Sequence, residues 1–590
     1  MKGARHLLIL GALGAGAVAA FSGCGLGDIA ISESGAPEQP SGGGGGEDEE
    51  AAKKLDPTGG QSHCIPPACQ KVPLPPSTHA TRLTRSQWEK TMRDLLRLPA
   101  EPGLSSAFPV DPSVSADHFG TEAGDVVVTT SHAKAFQKAA EDLAALVVDD
   151  PVALARILPP GATSGTTSAR VQAFVTDFLP RAFRRPVTPA EIAKAVALGD
   201  AAVQTDTTSD PFLVRAKWIL VSILQSPQVL YRFDLGGNDI KYSRVRLDPY
   251  ETASKLSYAL WDTMPDDALF AHAKSGKLAT SAGVAEVARE MLASPKASST
   301  LATFHDQLMF VWDYEVAKRN PATFPRYYDE FQADAMEDVR RTVRDLVIDN
   351  PKGTVKDLYS STTAYVTAKL APVYDIDPSS VPALVASPTQ FAKVQMDPKK
   401  RIGILMHPGW LAYEAAPKDP SIIRRGAYLA RHVFCLPLGS PPPAAAGASV
   451  DKSTAPTNRA RVTDVTKGCG DGCHGGTTGI INPLGFALEN YDSLGAFRDK
   501  DNNLPIDATG HVVGLGDFDG GVSLFEAAAT SPNTHACYAA HWIAFLNGTR
   551  HVDATPKWLT PTVARSLAGA SVRDIIVSLV QTDAFLTVSR

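Results

Sequence analysis

Signals for the start of a helix recur along most of this chain, and they constrain its fold more than any other feature. Thr84, Thr188 and Asp248 each precede a segment whose apolar residues recur at helical spacing. Pro189 and Pro249 directly follow two of these caps, where the fixed φ of proline suits the first helical turn. Segments with the two-residue period of strands are few. We therefore predict a mainly α-helical body.

The same reading predicts where the helices lie and where one boundary falls. The Pro- and Gly-rich segment 158–165 separates two helical regions. Arg181, Arg184 and Arg185 form a basic cluster, which we predict to be a solvated face with local salt bridges. Helices are predicted over residues 82–96, 133–148, 171–179, 218–233, 284–292, 301–308, 328–348, 537–546 and 572–586.

The N-terminus has the features of an export signal. Lys2 and Arg5 precede an apolar stretch at 7–21 that is too short for a stable membrane span. The stretch ends in Phe-Ser-Gly-Cys, which resembles a lipobox and makes Cys24 the predicted site of lipidation. We expect an exported lipoprotein at the outer membrane or cell surface, with an ordinary secretory signal as the alternative.

Residues 24–78 lack the apolar side chains needed for a core and are predicted to form a disordered tether. The chain has 590 residues, 44% hydrophobic and 20% charged, with a formal net charge of -6, as expected of a globular chain with several domains. No basic patch indicates nucleic acid as a partner. The predicted partner is the membrane, through the lipid anchor.

Seven cysteines are present, and assigning Cys24 to the lipid leaves an even number, which suits an oxidising compartment. Cys64 and Cys69 flank a turn-prone loop and are predicted to form a local disulfide. Cys435 and Cys537 have no motif around them, so a structural disulfide between them is predicted.

The remaining two cysteines, Cys469 and Cys473, directly precede His474. Covalent haem c needs two thiols for thioether bonds and a histidine immediately after the second one. Three residues separate the thiols here, instead of the usual two, and two of the three are glycines that allow a bulge. We predict a haem c site, and a Cys469–Cys473 disulfide in a Gly-rich loop stays open as the alternative; a zinc site lacks a fourth ligand nearby.

A second axial ligand would come from elsewhere in the chain. No methionine follows Met406, so the candidates are Met406, His407 and, beyond the motif, His511. An open distal position is the other alternative.

The segment from Asn482 to Arg498, Asn-Pro-Leu-Gly-Phe-Ala-Leu-Glu-Asn-Tyr-Asp-Ser-Leu-Gly-Ala-Phe-Arg, resembles the motif that follows the haem site of a planctomycete cytochrome c-like domain. Together with segments 82–96, 178–191, 247–265 and 401–443, it makes the chain similar to planctomycete and myxobacterial multi-domain surface proteins, largely of unknown function. The resemblance implies that Cys469 and Cys473 are the attachment thiols and His474 the proximal ligand. It also implies a domain order: signal peptide 1–23, tether 24–78, helical surface domains 79–150, 165–235 and 245–375, the cytochrome c-like domain 400–510, and a C-terminal helical domain 515–590.

Three functions follow as hypotheses. The first is extracytoplasmic electron transfer by a membrane-anchored haem protein, to or from a redox partner protein. The second is a haem-free surface protein that binds a polymer or an envelope protein. The third is an oxidoreductase acting at an open haem. We expect an electron-transfer or surface protein rather than a stand-alone enzyme.

Overall fold

The computed structural model describes residues 74, 79–111, 119–124, 126–237, 244–438, 450, 453–467, 473–475, 479–550 and 554–589, which all belong to one compact unit, Cys64–Arg590. The predicted signal peptide and Cys24, Cys64, Cys69 and Cys469 lie outside the described residues.

The first part of the described chain is helical with two short strands. Its elements are β1 Ala80–Arg82, α1 Arg85–Leu95, α2 Thr130–Val148, α3 Pro151–Ile157, α4 Thr167–Phe183, α5 Pro189–Val203, α6 Pro211–Leu224, α7 Pro227–Leu230 and β2 Tyr231–Phe233. Strands β1 and β2 pair antiparallel, with Thr81 opposite Arg232. Leu95, Phe178 and Ile219 are among the side chains of the core that these helices share.

The middle part adds helices and a two-stranded ribbon. Its elements are β3 Arg244–Arg246, α8 Pro249–Trp261, α9 Asp267–Lys274, α10 Ser281–Ala293, α11 Ala297–Leu308, α12 Phe331–Val343, α13 Val355–Ser360, β4 Thr363–Val366, α14 Pro382–Ala386 and β5 Ala392–Gln395. Strands β4 and β5 pair antiparallel.

The last part holds the haem-like segment and the C-terminal helices. Its elements are α15 Pro408–Tyr413, α16 Ile422–Tyr428, α17 Asn458–Thr466, α18 Ile481–Phe486, β6 Lys500–Asp501, β7 Leu504–Pro505, β8 Thr509–Val512, β9 Gly516–Asp519, α19 Gly520–Thr530, α20 Pro532–Asn547, α21 Thr560–Leu567, α22 Val572–Val580, α23 Asp583–Leu586 and β10 Thr587–Ser589. The pairs β6–β7 and β8–β9 are antiparallel hairpins, and β10 pairs with β3.

The fold is therefore mainly α-helical, as the sequence predicts. The three helix caps are confirmed: the side chains of Thr84, Thr188 and Asp248 each accept the backbone N–H of the third helical residue. In return, the backbone N–H of each cap donates to the side chain at that third position.

Other expectations about local structure are wrong. The helix predicted over 218–233 begins at Pro211 and ends at Leu224, and the chain then forms α7 and the strand β2. Pro227 has no backbone N–H with which to continue α6, and Ser226 is the N-cap of α7. The single helix predicted over 572–586 is divided into α22 and α23 by Thr582, whose backbone is extended.

The basic cluster is also not a uniformly solvated face. Arg184 is 4% exposed and donates to the backbone carbonyls of Gln228 and Tyr231. Among the described residues, Arg185 is the member of the cluster with the predicted local salt bridge, to Glu191 at 2.7 Å. The residues that enclose Arg184 lie more than 40 positions away in sequence, so local spacing gave no sign of its burial.

Among the described residues, no helix is both long and apolar enough to cross a bilayer.

Candidate functional site

Cys473 and His474 lie on a short loop that is tied to the start of α18. The carbonyl oxygen of Cys473 accepts the backbone N–H groups of Ile480, at 3.2 Å, and Ile481, at 2.8 Å. Cys473 is half-buried and is a free cysteine. These two bonds place the thiol and the imidazole at one end of α18, with both side chains partly open to solvent.

A chain of hydrogen bonds fixes the imidazole of His474. Its Nδ1 lies 3.0 Å from Asn482 Oδ1, the Nδ2 group of Asn482 donates to Thr466 Oγ1 at 2.9 Å, and that hydroxyl donates to the carbonyl of Val462 at 2.7 Å. The hydroxyl has one hydrogen and gives it to a carbonyl, so it can only accept from Asn482. The amide oxygen of Asn482 therefore faces His474, and Nδ1 must carry the proton.

In this tautomer the lone pair of His474 is on Nε2, the nitrogen that a metal would then bind. A ligating histidine usually donates its other ring N–H to an acceptor, which fixes the tautomer and raises the basicity of the ligand. Asn482 and Thr466 are 4% and 6% exposed, so the chain is shielded from competing water. The residues present fit the proximal half of a haem c site.

Close backbone contact between α16 and α18 fixes the position of α18, the helix that carries Asn482. A Cβ atom at Gly426 would lie 1.9 Å from the carbonyl oxygen of Ile481, and one at Gly485 would lie 2.1 Å from that of Ile422. Only glycine permits such an approach. The helix that carries Asn482 is therefore fixed against its neighbour by backbone, not by adaptable side chains.

Arg425, on α16, anchors the rest of the predicted haem-domain motif. It is fully buried and donates to the carbonyls of Leu488, Tyr491, Asp492 and Leu411 at 2.8–3.0 Å. Burial lowers the pKa of its guanidinium to about 9. A buried cation bonded to carbonyls fixes the path of the chain after α18.

The glutamate of the motif, Glu489, is enclosed beside this anchor. Arg498 donates to its Oε1 at 2.6 Å, and the Asn458 amide group lies 3.2 Å from both carboxylate oxygens. Burial raises the pKa of Glu489 to about 7, against the opposing effect of Arg498. Within the motif, Glu489 and Arg498 therefore have structural contacts, whereas Asn482 contacts His474.

The structure places Met406 and His407 in a separate, enclosed cluster. Both are 0% exposed. His407 Nδ1 lies 2.9 Å from Asp338 Oδ2, and Tyr374 donates to the same carboxylate oxygen. His407 Nε2 is buried without a hydrogen-bond partner among the described residues. Their role as distal ligands stays a prediction.

The third distal candidate, His511, is exposed on the β8–β9 hairpin. Its Nδ1 lies 2.7 Å from Asp517 Oδ1, directly across the hairpin. The neighbouring Gly510 is the residue that approaches α18, since a Cβ there would lie 2.8 Å from the carbonyl of Pro483. Alternation along a strand therefore directs the His511 side chain away from α18.

Cys435 and Cys537 form the predicted disulfide, with an S–S distance of 2.10 Å. His541 lies one helical turn after Cys537, and its Nε2 is 3.4 Å from Cys537 Sγ. These three residues could hold a metal ion by proximity, but bonded sulfurs are not the thiolates that a metal binds.

Sequence reasoning missed Asn482 and Thr466 as positioning residues. Asn482 was visible as the first residue of the long motif, eight positions after His474. What was not visible is the loop closure at Cys473 that brings the two side chains together.

Four family models match the chain, each described as a protein of unknown function. PSD3 (DUF1587) matches residues 81–149, PSD5 (DUF1595) residues 170–234, PSD4 (DUF1592) residues 247–376 and PSCyt3 (DUF1588) residues 401–501. The PSCyt3 match includes Cys473, His474 and the whole motif that follows. No curated protein and no solved structure matches the chain.

Proposed function

Since the chain belongs to the planctomycete cytochrome-like multi-domain families of unknown function, we propose that it is an exported, membrane-anchored protein that transfers electrons outside the cytoplasm through a covalent haem c. Cys469 and Cys473 are the attachment thiols, and His474 is the proximal ligand. The observation that carries this proposal is the 3.0 Å contact between His474 Nδ1 and Asn482 Oδ1, from which we infer the tautomer whose lone pair is on Nε2.

Two further features support the haem over the competing disulfide. Cys473 is a free thiol, as thioether formation requires. It also directly precedes the oriented imidazole, so one loop supplies a thiol and a nitrogen ligand. When bound, the haem supplies one-electron chemistry at a potential set by its axial ligands and their hydrogen bonds.

At this site the protein's own residues act by positioning the imidazole of His474. Asn482 holds the proton on Nδ1 of His474, Thr466 holds the amide of Asn482, and α16 holds α18. An imidazole held in this orientation would not need to rotate when a bound haem iron gains or loses an electron. That suits electron transfer, which is favoured by a small change in structure.

The proposed location rests on the N-terminal sequence. Cys24 would be acylated and residues 24–78 would separate the folded body from the membrane. The Cys435–Cys537 disulfide supports an oxidising compartment. Covalent haem attachment and disulfide formation can both take place in such a compartment.

Covalent haem is the decisive test. The mature chain would be exported in a host with cytochrome c maturation, and we expect a pyridine haemochrome spectrum of the c type and haem staining that survives denaturing electrophoresis. Cys473→Ala and His474→Ala should lose covalent haem, whereas His511→Ala should keep it, because thioether bonds do not depend on a distal ligand. A colourless wild type with Cys469 bonded to Cys473 would refute the proposal and leave the haem-free surface protein.

The positioning chain has its own test on the haem-loaded protein. Asn482→Leu removes the acceptor for Nδ1–H, so the imidazole becomes less basic and we expect the reduction potential to rise. Thr466→Val should cause a smaller rise, because Asn482 then loses its acceptor. Thr463→Val, at an exposed position on the same helix α17, is the matched control. Equal potentials in all four proteins would show that the chain does not tune the haem.

Carbon monoxide binding to the reduced protein separates electron transfer from the open-haem oxidoreductase. We expect no binding if Met406 or His407 completes the coordination, and binding in the corresponding Met406→Leu or His407→Gln variant. Binding by the wild type would favour the open site.

The anchor is tested by Cys24→Ala. We expect the wild type to incorporate labelled fatty acid and to fractionate with membranes, and the variant to do neither. Membrane retention without acylation would contradict a lipid anchor.

A further inference from the structure

A cavity beside the first helix, α1, is lined by residues far from the haem-like loop in sequence and has no role in the proposed function. Its volume is about 470 Å³, within the range of small-ligand sites. Its walls come from residues matched by PSD3 and PSD4, from Arg232 at the end of the PSD5 match, and from helix α20. Cavities between domains are frequent places for ligands.

Arg232 brings an incompletely paired guanidinium to this cavity. It is 7% exposed, and its Nη2 lies 3.3 Å from Asp234 Oδ2. Nε and Nη2 nevertheless have no hydrogen-bond acceptor in the part of the chain that the structure describes. A buried guanidinium with hydrogens left over is costly unless another acceptor arrives.

The carboxylate beside Arg232 is shared with a second buried cation. Lys255 Nζ lies 3.8 Å from the same Asp234 oxygen, and Lys255 and Asp234 are 3% and 2% exposed. Two cations therefore share one carboxylate. Burial lowers the pKa of Lys255 to about 8, with Arg232 and Arg244 contributing in the same direction.

In the part of the chain that the structure describes, the acidic residues that line the cavity are already paired with other cations. Asp111 accepts from Arg82 at 2.7 Å, and Asp262 accepts from Lys90 at 2.8 Å. Neither carboxylate is therefore left to neutralise Arg232. Counting the described residues alone, positive charge exceeds negative charge around Arg232, which favours an anionic ligand.

The rest of the wall suits a ligand that carries hydroxyl groups better than a purely apolar ligand. Thr300 is 4% exposed, and its hydroxyl has no hydrogen-bond partner among the described residues. Gln307 and the exposed Thr303 add polar groups from the same helix, and Trp312 adds an aromatic ring. Polar groups beside an aromatic side chain suit a ligand whose ring carries hydroxyl groups.

We propose that this cavity binds a small hydroxylated carboxylate of the sugar-acid type, with the carboxylate on Arg232 and a hydroxyl on Thr300. The planar guanidinium matches a carboxylate better than a spherical charge would. This site is independent of the haem, so either proposal can fail without the other.

Calorimetric titration of the full mature chain tests the site at constant ionic strength. The probes are D-glucuronate, D-glucose, acetate and inorganic phosphate. We expect glucuronate to bind, acetate to bind more weakly, and glucose and phosphate not to bind. Phosphate binding without glucuronate binding, or no binding of any probe, would overturn the proposal.

Variants locate the binding. Arg232→Met should weaken glucuronate binding about tenfold or more, since it removes a charge-assisted bond. Arg215→Met, in α6 and outside the cavity, is the matched control. Unchanged affinity in a folded Arg232→Met would refute the assignment.

Thr300→Val keeps the test decisive if Arg232→Met does not fold. The substitution preserves shape and removes a hydroxyl without a partner, so the fold should keep its stability. We expect a loss of affinity of about fivefold. A stable Thr300→Val with wild-type affinity would contradict the proposed contact.

Discussion

At the scale of single residues, the partners of three histidines give them different roles. His474 is half-buried, donates from Nδ1 and leaves Nε2 to solvent or a metal. His407 is enclosed, with Nδ1 on Asp338. His305 is 1% exposed, and both of its nitrogens are satisfied, Nδ1 by the carbonyl of Leu301 at 2.7 Å and Nε2 by the hydroxyl of Tyr538 at 2.9 Å. The last arrangement requires a neutral ring.

His305 should make the fold sensitive to acid. Burial lowers its pKa to about 4 from an ordinary value of 6.5, so the folded state binds its proton less readily than the unfolded state. The stability that it contributes is complete above pH 6.5 and is lost as the pH falls through about 4. The loss approaches about 3 kcal/mol at the acid end.

We expect His305→Gln to be less stable than the wild type at pH 7, with the difference in unfolding free energy shrinking between pH 6.5 and pH 4. Leu301→Ala is the control, because it removes buried volume from the same helix but no titrating group. Its difference from the wild type should stay constant over this range. Parallel pH profiles for the wild type and His305→Gln would contradict the assignment.

At the scale of elements, the pair α16 and α18 connects packing to function. Both helices are short, so their own hydrogen bonds contribute little stability. Gly426 and Gly485 allow the backbones to meet, and Arg425 then fixes the chain that follows. The position of Asn482 depends on this contact.

Gly426→Ala should therefore disturb both stability and the site. The added methyl group would meet a backbone carbonyl that cannot move aside, and overpacking of this kind costs about 3 kcal/mol or more. We expect a lower thermal midpoint and a lower yield of covalent haem. Gly237→Ala, whose Cβ would have no atom closer than 3.9 Å, should change neither. An unaltered midpoint in Gly426→Ala would show that α16 and α18 can separate without cost.

The elements also show how far the sequence could be interpreted. Thr84, Thr188 and Asp248 were recognisable as caps because a cap acts on residues three positions away. Strand β2 was not, since its partner β1 lies about 150 residues earlier, and β10 pairs with β3 across more than 340 residues. The sequence indicated His474 but not its bond with Asn482, because the loop closure at Cys473 that brings the two side chains together was not visible.

At the scale of the whole molecule, contacts distant in sequence join the middle and last parts of the described chain. The C-terminal strand β10 pairs with β3, and buried Lys255 donates to the carbonyl of Phe585 at 2.8 Å. Trp542 of α20 stacks on Phe304 of α11, with ring centroids 3.7 Å apart. The segments matched by PSD4 and PSCyt3 therefore share one core with the C-terminal helices, and the segments matched by PSD3 and PSD5 share a second one.

The Cys435–Cys537 disulfide should stabilise this shared core through the unfolded chain. It links α20 to the segment that follows α16, and its sequence separation of 102 residues restricts the unfolded ensemble strongly. Breaking it should cost about 2–4 kcal/mol. We expect reduction of the wild type, or the double variant Cys435→Ala/Cys537→Ala, to lower the thermal midpoint by similar amounts. Because Cys473 lies outside this bond, the double variant should retain covalent haem, which separates loss of stability from loss of the site. A midpoint that is insensitive to reduction while mass spectrometry shows the bond broken would mean that core packing alone joins the two segments.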